Sequence, residues 1–144
     1  MSVADLLRKK RELLEQTNRD EGRRYLEEFC KRENVVVLPS GVAYKIVKEG
    51  IGRKACLTDS IEFHYHGTNI KGEIFDSSID RGKPVVLNLN KLIRAYQEVV
   101  PYIAMGTSFI MVTPPEYAYR DEYVSKLVGP YSTLVFEIEL LEIK

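Results

Sequence analysis

The stretch that most constrains the fold is residues 61–78, which begins with a strict alternation of apolar and polar side chains. Alternation is typical of a half-buried strand, because successive side chains point to opposite faces of a sheet. Ile61, Phe63 and Tyr65 are therefore predicted to share one buried face. The following Gly67-Thr68-Asn69 and Lys71-Gly72 are typical turn residues, so we expect a turn after this strand.

A second aromatic residue follows the predicted turn, in a segment that also contains a carboxylate and two hydroxyls. Phe75 and Asp76 precede Ser77 and Ser78 directly. Tyr65, Phe75 and Asp76 can then meet as an apolar wall with polar groups at its edge. That composition favours a pocket for a small molecule or a peptide segment.

The rest of the C-terminal part alternates between predicted strands and loops, and contains one short apolar helix. Asn90 is the candidate N-cap of that helix, and Pro101 is expected to end it near Val100. Five or six strands are predicted, and the last one, residues 131–143, has Leu134 to Leu140 on one face at every second position. We therefore expect an α+β domain whose twisted antiparallel sheet buries one face against the helix.

Residues 1–34 have a different, highly charged character and are predicted to be helical. Ser2 followed by Asp5 is typical of a helix N-terminus, and Thr17–Asn18 and Gly22 are candidate breaks. We expect two helices or one bent helix. The narrow leucine stripe is compatible with a dimerisation arm, with a spacer from a membrane anchor, or with a helix that packs on its own domain.

Composition excludes several classes of function. The net charge is zero, with 21 basic and 21 acidic residues, so bulk electrostatics predicts no nucleic-acid binding. No apolar run of about 18 residues could span a membrane, and no signal peptide is visible. Cys30 and Cys56 form no metal motif and are expected to be unpaired thiols. Glu62, His64 and His66 share a strand face, which is compatible with a metal site or with a solvated sheet surface.

Several motifs in register resemble the FKBP-type peptidyl-prolyl isomerases. They begin with Tyr65-His66-Gly67 and continue with the Phe75-Asp76-Ser77-Ser78 segment. Further matches lie at residues 81–84, 92–96, 114–119 and 133–141, and the resemblance covers residues 38–144. It implies a sheet wrapped around one short helix, with the binding pocket between them. It divides the chain into a helical N-terminal extension, 1–37, and an isomerase domain, 38–144.

The resemblance also implies roles for individual residues. Arg81 is expected to hold Asp76 at the rim, the Ile93 backbone N–H to bind a ligand carbonyl, and the Tyr119 hydroxyl to donate to a substrate carbonyl. The catalytic residues implied are Tyr65, Phe75, Asp76, Tyr119 and Phe136, and the substrate-binding residues are Arg81, Val85, Leu87, Leu92, Ile93, Tyr96, Val124, Leu127 and Val128, of which the last three form an overhanging loop.

The expected function is peptidyl-prolyl cis-trans isomerisation that assists folding, with proline-containing segments of unfolded or partly folded proteins as partners. Binding of macrolide inhibitors is implied too, and no cofactor or metal is required. The N-terminal extension resembles that of the macrophage-infectivity-potentiator-like subgroup. That likeness implies a homodimer through the N-terminal helix and a bacterial periplasmic location, as a free protein or as a membrane-anchored lipoprotein. The even charge and the two cysteines leave a cytoplasmic location as the alternative.

Departures from the family pattern leave a second function open. Tyr96 stands where the family usually has tryptophan, and Val85 and Leu87 stand where it often has two phenylalanines. Arg120 replaces a glycine, so a positive φ at that position would be costly. The alternative is a weak or inactive FKBP-like chaperone that binds proline-containing segments without isomerising them.

Overall fold

A single long helix opens the chain in the computed structural model, which describes residues 2–144. Helix α1 spans Val3–Cys30, and its first turn is closed by a capping box. The Asp5 N–H donates to the Ser2 hydroxyl at 3.1 Å, and the Ser2 N–H donates to the Asp5 carboxylate at 3.4 Å. The predicted helix start is thus confirmed.

Of the two predicted alternatives, two helices or one bent helix, the first is wrong, because α1 runs as one helix through both candidate breaks. Gly22 is buried in α1, and a Cβ at this position would lie 2.3 Å from the Thr133 hydroxyl oxygen. Glycine therefore serves here to let the helix approach a loop closely, at a cost in helix propensity of about 1 kcal/mol.

Seven strands form one antiparallel sheet, one or two more than the sequence predicts. The additional strand, Val35–Val37, pairs with the next one in the register Val36↔Tyr44, so the predicted extension 1–37 is helical only as far as Cys30. The strands are β1 (Val35–Val37), β2 (Ala43–Lys48), β3 (Ser60–Asn69), β4 (Ile74–Ser77), β5 (Val85–Asn88), β6 (Ser108–Thr113) and β7 (Leu134–Ile143). Their spatial order is β1-β2-β6-β7-β3-β4, with β5 also paired to β3.

Two short helices complete the fold: α2 (Ser78–Arg81) and α3 (Arg94–Val99). Asn90 does not cap α3. Instead, the Asn88 side chain accepts from the Asn90 N–H at 3.2 Å and caps a short 3-10 turn, while α3 starts after Ile93 with no side-chain cap. The helix ends at Val99 and Pro101 lies in the following 3-10 turn, as the sequence predicts.

The sheet buries its inner face and part of its outer face. Its inner face and α3 enclose the main core, in which Phe63, Tyr96 and Phe109 are buried. Part of its outer face is covered by the C-terminal half of α1, where Phe29 packs against Ala43 and Val112. The N-terminal half of α1 leaves its leucines exposed, so only about half of the helix shares a core with the domain.

Candidate functional site: an aromatic cavity between the sheet and α3

A cavity of about 130 Å³ lies between the inner face of the sheet and α3. A larger crease of about 590 Å³ runs along residues 48–53, but no cluster of aromatic rings lines it. The smaller cavity combines aromatic rings with a carboxylate and tyrosine hydroxyls, so it is the candidate site. Its lining residues are Phe63, Tyr65, Phe75, Asp76, Val85, Leu87, Leu92, Ile93, Tyr96, Tyr119 and Phe136.

One wall of the cavity is built on neighbouring strands, and we call it the strand wall. It consists of Tyr65 on β3, Phe75 on β4 and Phe136 on β7. The rings of Phe75 and Phe136 meet edge to face, with centroids 5.7 Å apart and an interplanar angle of 84°. This arrangement is favourable for aromatic pairs, and the strand pairing fixes it.

Gly67 makes room for the strand wall. It pairs with Asp76 of β4 and Phe136 of β7 in the middle of the sheet. A Cβ at Gly67 would lie 2.7 Å from the Phe75 ring and 3.1 Å from the Phe136 ring. The prediction that Gly67 begins a turn is therefore wrong, because β3 continues to Asn69 and this glycine allows two rings to approach the backbone.

The floor of the cavity is the ring of Tyr96 on α3. Its centroid lies 5.6 Å from that of Phe63 and 5.5 Å from that of Phe136. Phe63, which its alternation assigns to the core, also lines the cavity, although it is not among the predicted site residues. Its alternation with Tyr65 was the signal that could have found it.

A hydrogen-bonded network at the rim fixes the orientation of Asp76. The Tyr65 hydroxyl donates to Asp76 Oδ2 at 2.5 Å, and Arg81 Nη2 donates to the Tyr65 hydroxyl at 2.9 Å. Arg81 Nη1 also donates to Asp76 Oδ1. Ser77 caps α2 by accepting from the Asp80 N–H at 3.2 Å, and the single turn of α2 returns Arg81 to Asp76.

The network also sets the charges at the rim. Partial burial acts to raise the pKa of Asp76, but hydrogen bonds from Tyr65 and Arg81 outweigh it and hold that pKa below its usual 3.8. Burial, followed by the hydrogen bond to Asp76, raises the pKa of Tyr65 above 10.0. Asp76 is therefore an anion and Tyr65 is neutral around neutral pH.

The other wall of the cavity belongs to the loop of residues 114–133, and we call it the loop wall. Tyr119 is its contribution to the lining. Burial raises the pKa of Tyr119, which keeps the hydroxyl protonated as a donor. Arg120 has a φ of +54°, the positive value that the sequence predicted to be costly. Its N–H donates to the Pro115 carbonyl at 2.9 Å, and its carbonyl accepts from the Tyr131 N–H at 2.6 Å.

Helix α1 holds the loop from outside. Asn18 Nδ2 donates to the Pro130 carbonyl at 2.8 Å, and Arg11 Nη2 donates to the Asp121 carbonyl at 3.2 Å. The guanidinium of Arg19 lies 3.8 Å from the centroid of the Tyr131 ring, which is a cation–π contact. The extension thus contacts the segment that supplies Tyr119.

The structure brings ten of the fourteen predicted site residues into the cavity lining and places Arg81 beside them. Val124, Leu127 and Val128, predicted as an overhanging loop, do not line it. Val128 is buried in the core, Val124 is exposed, and Leu127 lines a separate groove beside α1. The Ile93 backbone N–H has no acceptor among residues 2–144, so it remains available to a ligand.

The metal site considered for Glu62, His64 and His66 does not form in the part of the chain that the structure describes. His64 Nδ1 lies 2.9 Å from the Ser78 hydroxyl, and His66 Nδ1 lies 2.9 Å from the Ser77 hydroxyl. Within residues 2–144, no three His, Cys, Asp or Glu side chains converge on one point.

Cys30 and Cys56 are both free thiols. Across residues 2–144, no helix is both long and apolar enough to cross a membrane.

Comparison with known proteins assigns the family. The sequence profile described as "FKBP-type peptidyl-prolyl cis-trans isomerase" matches residues 52–141. The chain belongs to this family. A second profile, described as "Domain amino terminal to FKBP-type peptidyl-prolyl isomerase", matches residues 1–46, which include α1. The family resemblance drawn from the sequence is confirmed.

Two curated relatives of this FKBP-type chain are longer than it is. It is 38% identical over 123 residues to the FKBP-type 22 kDa peptidyl-prolyl cis-trans isomerase of Escherichia coli, covering 85% of this chain and 60% of that one. It is 33% identical over 127 residues to the outer membrane protein MIP of Legionella longbeachae, covering 88% and 54% respectively. The chain thus spans between half and two thirds of these relatives.

A solved structure confirms the fold. The crystal structure of FkpA from Escherichia coli has a TM-score of 0.89 and 34% sequence identity, and the match covers 95% of this chain and 64% of that one. The predicted class, an α+β domain with an antiparallel sheet around one short helix and a helical extension before it, is correct.

Proposed function

We propose that the protein is a peptidyl-prolyl cis-trans isomerase that acts on proline-containing segments of unfolded or partly folded proteins. The observation that carries this proposal is the aromatic cavity of about 130 Å³ with an anchored carboxylate at its rim. The family assignment supports the reaction type, and the cavity supports a site for it on this chain.

The reaction requires no proton transfer. The X-Pro amide resists rotation because of resonance, with a barrier of about 18–20 kcal/mol. Resonance separates charge, so it is weakened when the amide leaves water for an apolar site. Rings of Phe75, Tyr96 and Phe136 supply that surface, and a site that binds the twisted amide better than either planar isomer lowers the barrier.

Polar groups around the cavity have the role of holding the substrate in place. The Ile93 N–H and the Tyr119 hydroxyl are donors for two substrate carbonyls. Asp76, held by Tyr65 and Arg81, places a fixed negative charge beside the twisted amide. A fixed charge that needs no reorganisation can favour the charge distribution of the transition state.

The test is the cis-to-trans rate of a peptide with a Leu-Pro or Phe-Pro bond. We expect the wild type to accelerate isomerisation, and Phe75→Ala and Asp76→Ala each to lower kcat/KM about tenfold or more, which is ~1.4 kcal/mol of transition-state stabilisation. Val86→Ala is the matched control, because Val86 lies on β5 between Val85 and Leu87 but is exposed and does not line the cavity. No acceleration by folded wild type would contradict the proposal.

The second candidate is a chaperone that binds proline-containing segments without isomerising them. Val85 and Leu87 favour this chaperone function, because they line the cavity with aliphatic side chains where the family often has two phenylalanines. Binding of a proline peptide to wild type without a change in its isomerisation rate, lost in Phe75→Ala, would select this alternative. Competition by a macrolide inhibitor in the same assay tests whether that class of ligand uses the cavity.

Assembly and location complete the proposal. Exposed apolar side chains of the N-terminal half of α1 (Val3, Leu6, Leu7, Leu13 and Leu14) form a surface for a homodimer, while residues 38–144 carry the isomerase site. Sedimentation of the wild type and of a Leu6→Gln/Leu13→Gln variant tests the dimer.

The name of the MIP relative supports a location in the bacterial envelope, either periplasmic or as an anchored lipoprotein. Cell fractionation tests this location.

A further inference from the structure

The Tyr96 hydroxyl on the cavity floor has no hydrogen-bond partner in the protein. Tyr96 is only 4% exposed and lines the cavity. Its hydroxyl bonds to none of residues 2–144. Within that range, no polar side-chain atom that is fully sealed from solvent lacks a partner. The Tyr96 hydroxyl oxygen is therefore accessible to solvent, and the cavity is where solvent reaches it.

The two other tyrosines of the cavity differ from Tyr96 in this respect. The Tyr65 hydroxyl already has hydrogen-bond partners, since it donates to Asp76 and accepts from Arg81. Tyr119 belongs to the loop wall and is less deeply buried, so water can reach its hydroxyl from outside. Burial raises the pKa of Tyr96 well above 10.0, so its hydroxyl remains a neutral hydrogen-bond donor at physiological pH.

An unpaired donor on the floor has an energetic consequence for any ligand. The cavity holds about four water molecules at their liquid volume of ~30 Å³ each, so a seated five-membered ring displaces the water that solvates the hydroxyl. A ring with only C–H groups on that side leaves the donor unsatisfied, which weakens binding. A ligand with an acceptor oxygen there removes the penalty.

We infer that Tyr96 is a specificity-determining residue that makes the cavity favour a ring bearing a hydrogen-bond acceptor over an unsubstituted proline ring. This inference rests on the proposed function, since it assumes that the prolyl ring enters this cavity. Tyr96 acts here through its hydroxyl alone, while its ring provides the apolar floor.

The test uses three peptides that are identical except at the central position, which is proline, (4R)-hydroxyproline or (4S)-hydroxyproline. Their dissociation constants are measured by calorimetry with wild type and Tyr96→Phe. We expect wild type to bind one hydroxyproline epimer more tightly than the proline peptide. Tyr96→Phe should bind the proline peptide about fivefold or more tightly than wild type does, and should lose the preference for that epimer. Tyr123→Phe removes an exposed hydroxyl outside the cavity and should change none of the three constants.

Equal affinity of wild type for all three peptides, or a Tyr96→Phe variant with unchanged ratios, would overturn the inference while leaving the isomerase proposal intact. Because the wild-type preference is measured on the unaltered protein, the test does not depend on how well the variant folds. Failure of the proposed function is distinguishable, since it appears as absent rate acceleration in the isomerisation assay. If none of the three peptides binds, both proposals are contradicted.

Discussion

The strand wall and the loop wall of the cavity are held in place by different kinds of interaction. Tyr65, Phe75 and Phe136 are fixed by the pairing of β3 with β4 and β7 and by packing of their rings in the core. Tyr119 is fixed by backbone hydrogen bonds within its loop and by polar contacts of that loop with α1. Substitutions in the strand wall should therefore affect global stability, whereas those in the loop wall should act mainly on the local position of Tyr119.

The largest expected effect is that of Phe136→Ala in the strand wall. Phe136 is 3% exposed and packs against Phe75 and Tyr96. Its truncation should lower the free energy of unfolding by about 3–5 kcal/mol, because it removes buried apolar surface and leaves a void. Urea denaturation measures this loss. Val124→Ala, at an exposed position in the loop, should change stability by less than about 0.5 kcal/mol.

Gly67→Ala is the next largest change and tests the strand wall without removing a ring. An added Cβ would lie 2.7 Å from Phe75 and 3.1 Å from Phe136, so one of the rings must move. Overpacking of this kind costs about 1–3 kcal/mol, and kcat/KM should fall because the rings that line the cavity are displaced. Wild-type stability and activity in this variant would show that the wall is more plastic than the strand pairing implies.

Asn18→Ala tests whether α1 supports the loop wall. The substitution leaves the Pro130 carbonyl without its donor, and Pro130 is buried, so stability should fall by about 1–2 kcal/mol. Hydrogen exchange in residues 120–131 should increase more than in β3 or β7. The matched control is Gln16→Ala, because the Gln16 side chain bonds only to Asp20 on the same helix. Equal exchange in both variants would contradict a role for α1 in fixing the loop.

Arg120→Gly should have a smaller effect, of opposite sign. Arg120 has a φ of +54°, a conformation that costs a side chain about 1–2 kcal/mol and costs glycine little. The entropy that glycine gains in the unfolded chain offsets part of this relief. We expect a net gain in thermal stability of about 0.5 kcal/mol, measured as an increase in Tm, with no loss of activity. A lower Tm would mean that the Arg120 side chain contributes more than its backbone strain costs.

The smallest expected effect is that of pH on catalysis. The pKa of Asp76 lies below 3.8, and those of Tyr65 and Tyr119 lie above 10.0. None of these groups titrates between about pH 5 and 9, so kcat/KM should be flat over that range, in contrast to the bell-shaped profile of acid–base catalysis. An inflection within the range, traced to one of these three residues by substitution, would contradict the mechanism.

Stability should respond to pH outside that range. The pKa of Asp76 is lower in the folded state than its unfolded value of 3.8. Its contribution to the free energy of unfolding is therefore present above pH 3.8 and is lost as pH falls through the folded pKa. The pH dependence due to Tyr65 runs the other way, because its contribution to the free energy of unfolding is present below pH 10.0 and is lost as pH rises through the raised folded pKa. Denaturation midpoints at acid pH, compared with those of Asp76→Ala, measure the first contribution, and midpoints at alkaline pH, compared with those of Tyr65→Phe, measure the second.

Local sequence was sufficient to predict most of the strand wall. Alternation placed Phe63 and Tyr65 on the buried face of β3 and Phe136 on that of β7. Gly67 was misassigned because a glycine that makes room for rings from other strands looks, in its own sequence context, like a turn residue. Asn90 was misassigned because it lies inside a short 3-10 turn that Asn88 caps, whereas α3 begins after Ile93 without a side-chain cap.

The loop wall and its support could not be predicted from local patterns. The contacts of Arg11 and Asn18 join residues 110 and 112 positions apart, and nothing in the periodicity of α1 indicates them. Gly22 depends on another long-range contact of the same helix, because a Cβ at this position would lie 2.3 Å from the Thr133 hydroxyl oxygen. Tyr119 itself came from the family resemblance, which did not reveal that Val124, Leu127 and Val128 lie outside the cavity.

The most direct test of the central claim is NMR of the wild type with a Leu-Pro peptide in excess. Exchange cross-peaks between the cis and trans forms report turnover, and intermolecular NOEs from the proline ring report where it binds. We expect enhanced exchange together with NOEs to the rings of Phe75, Tyr96 and Phe136. Enhanced exchange with NOEs only to other surfaces, or NOEs to these rings without exchange, would contradict the claim that this cavity catalyses isomerisation.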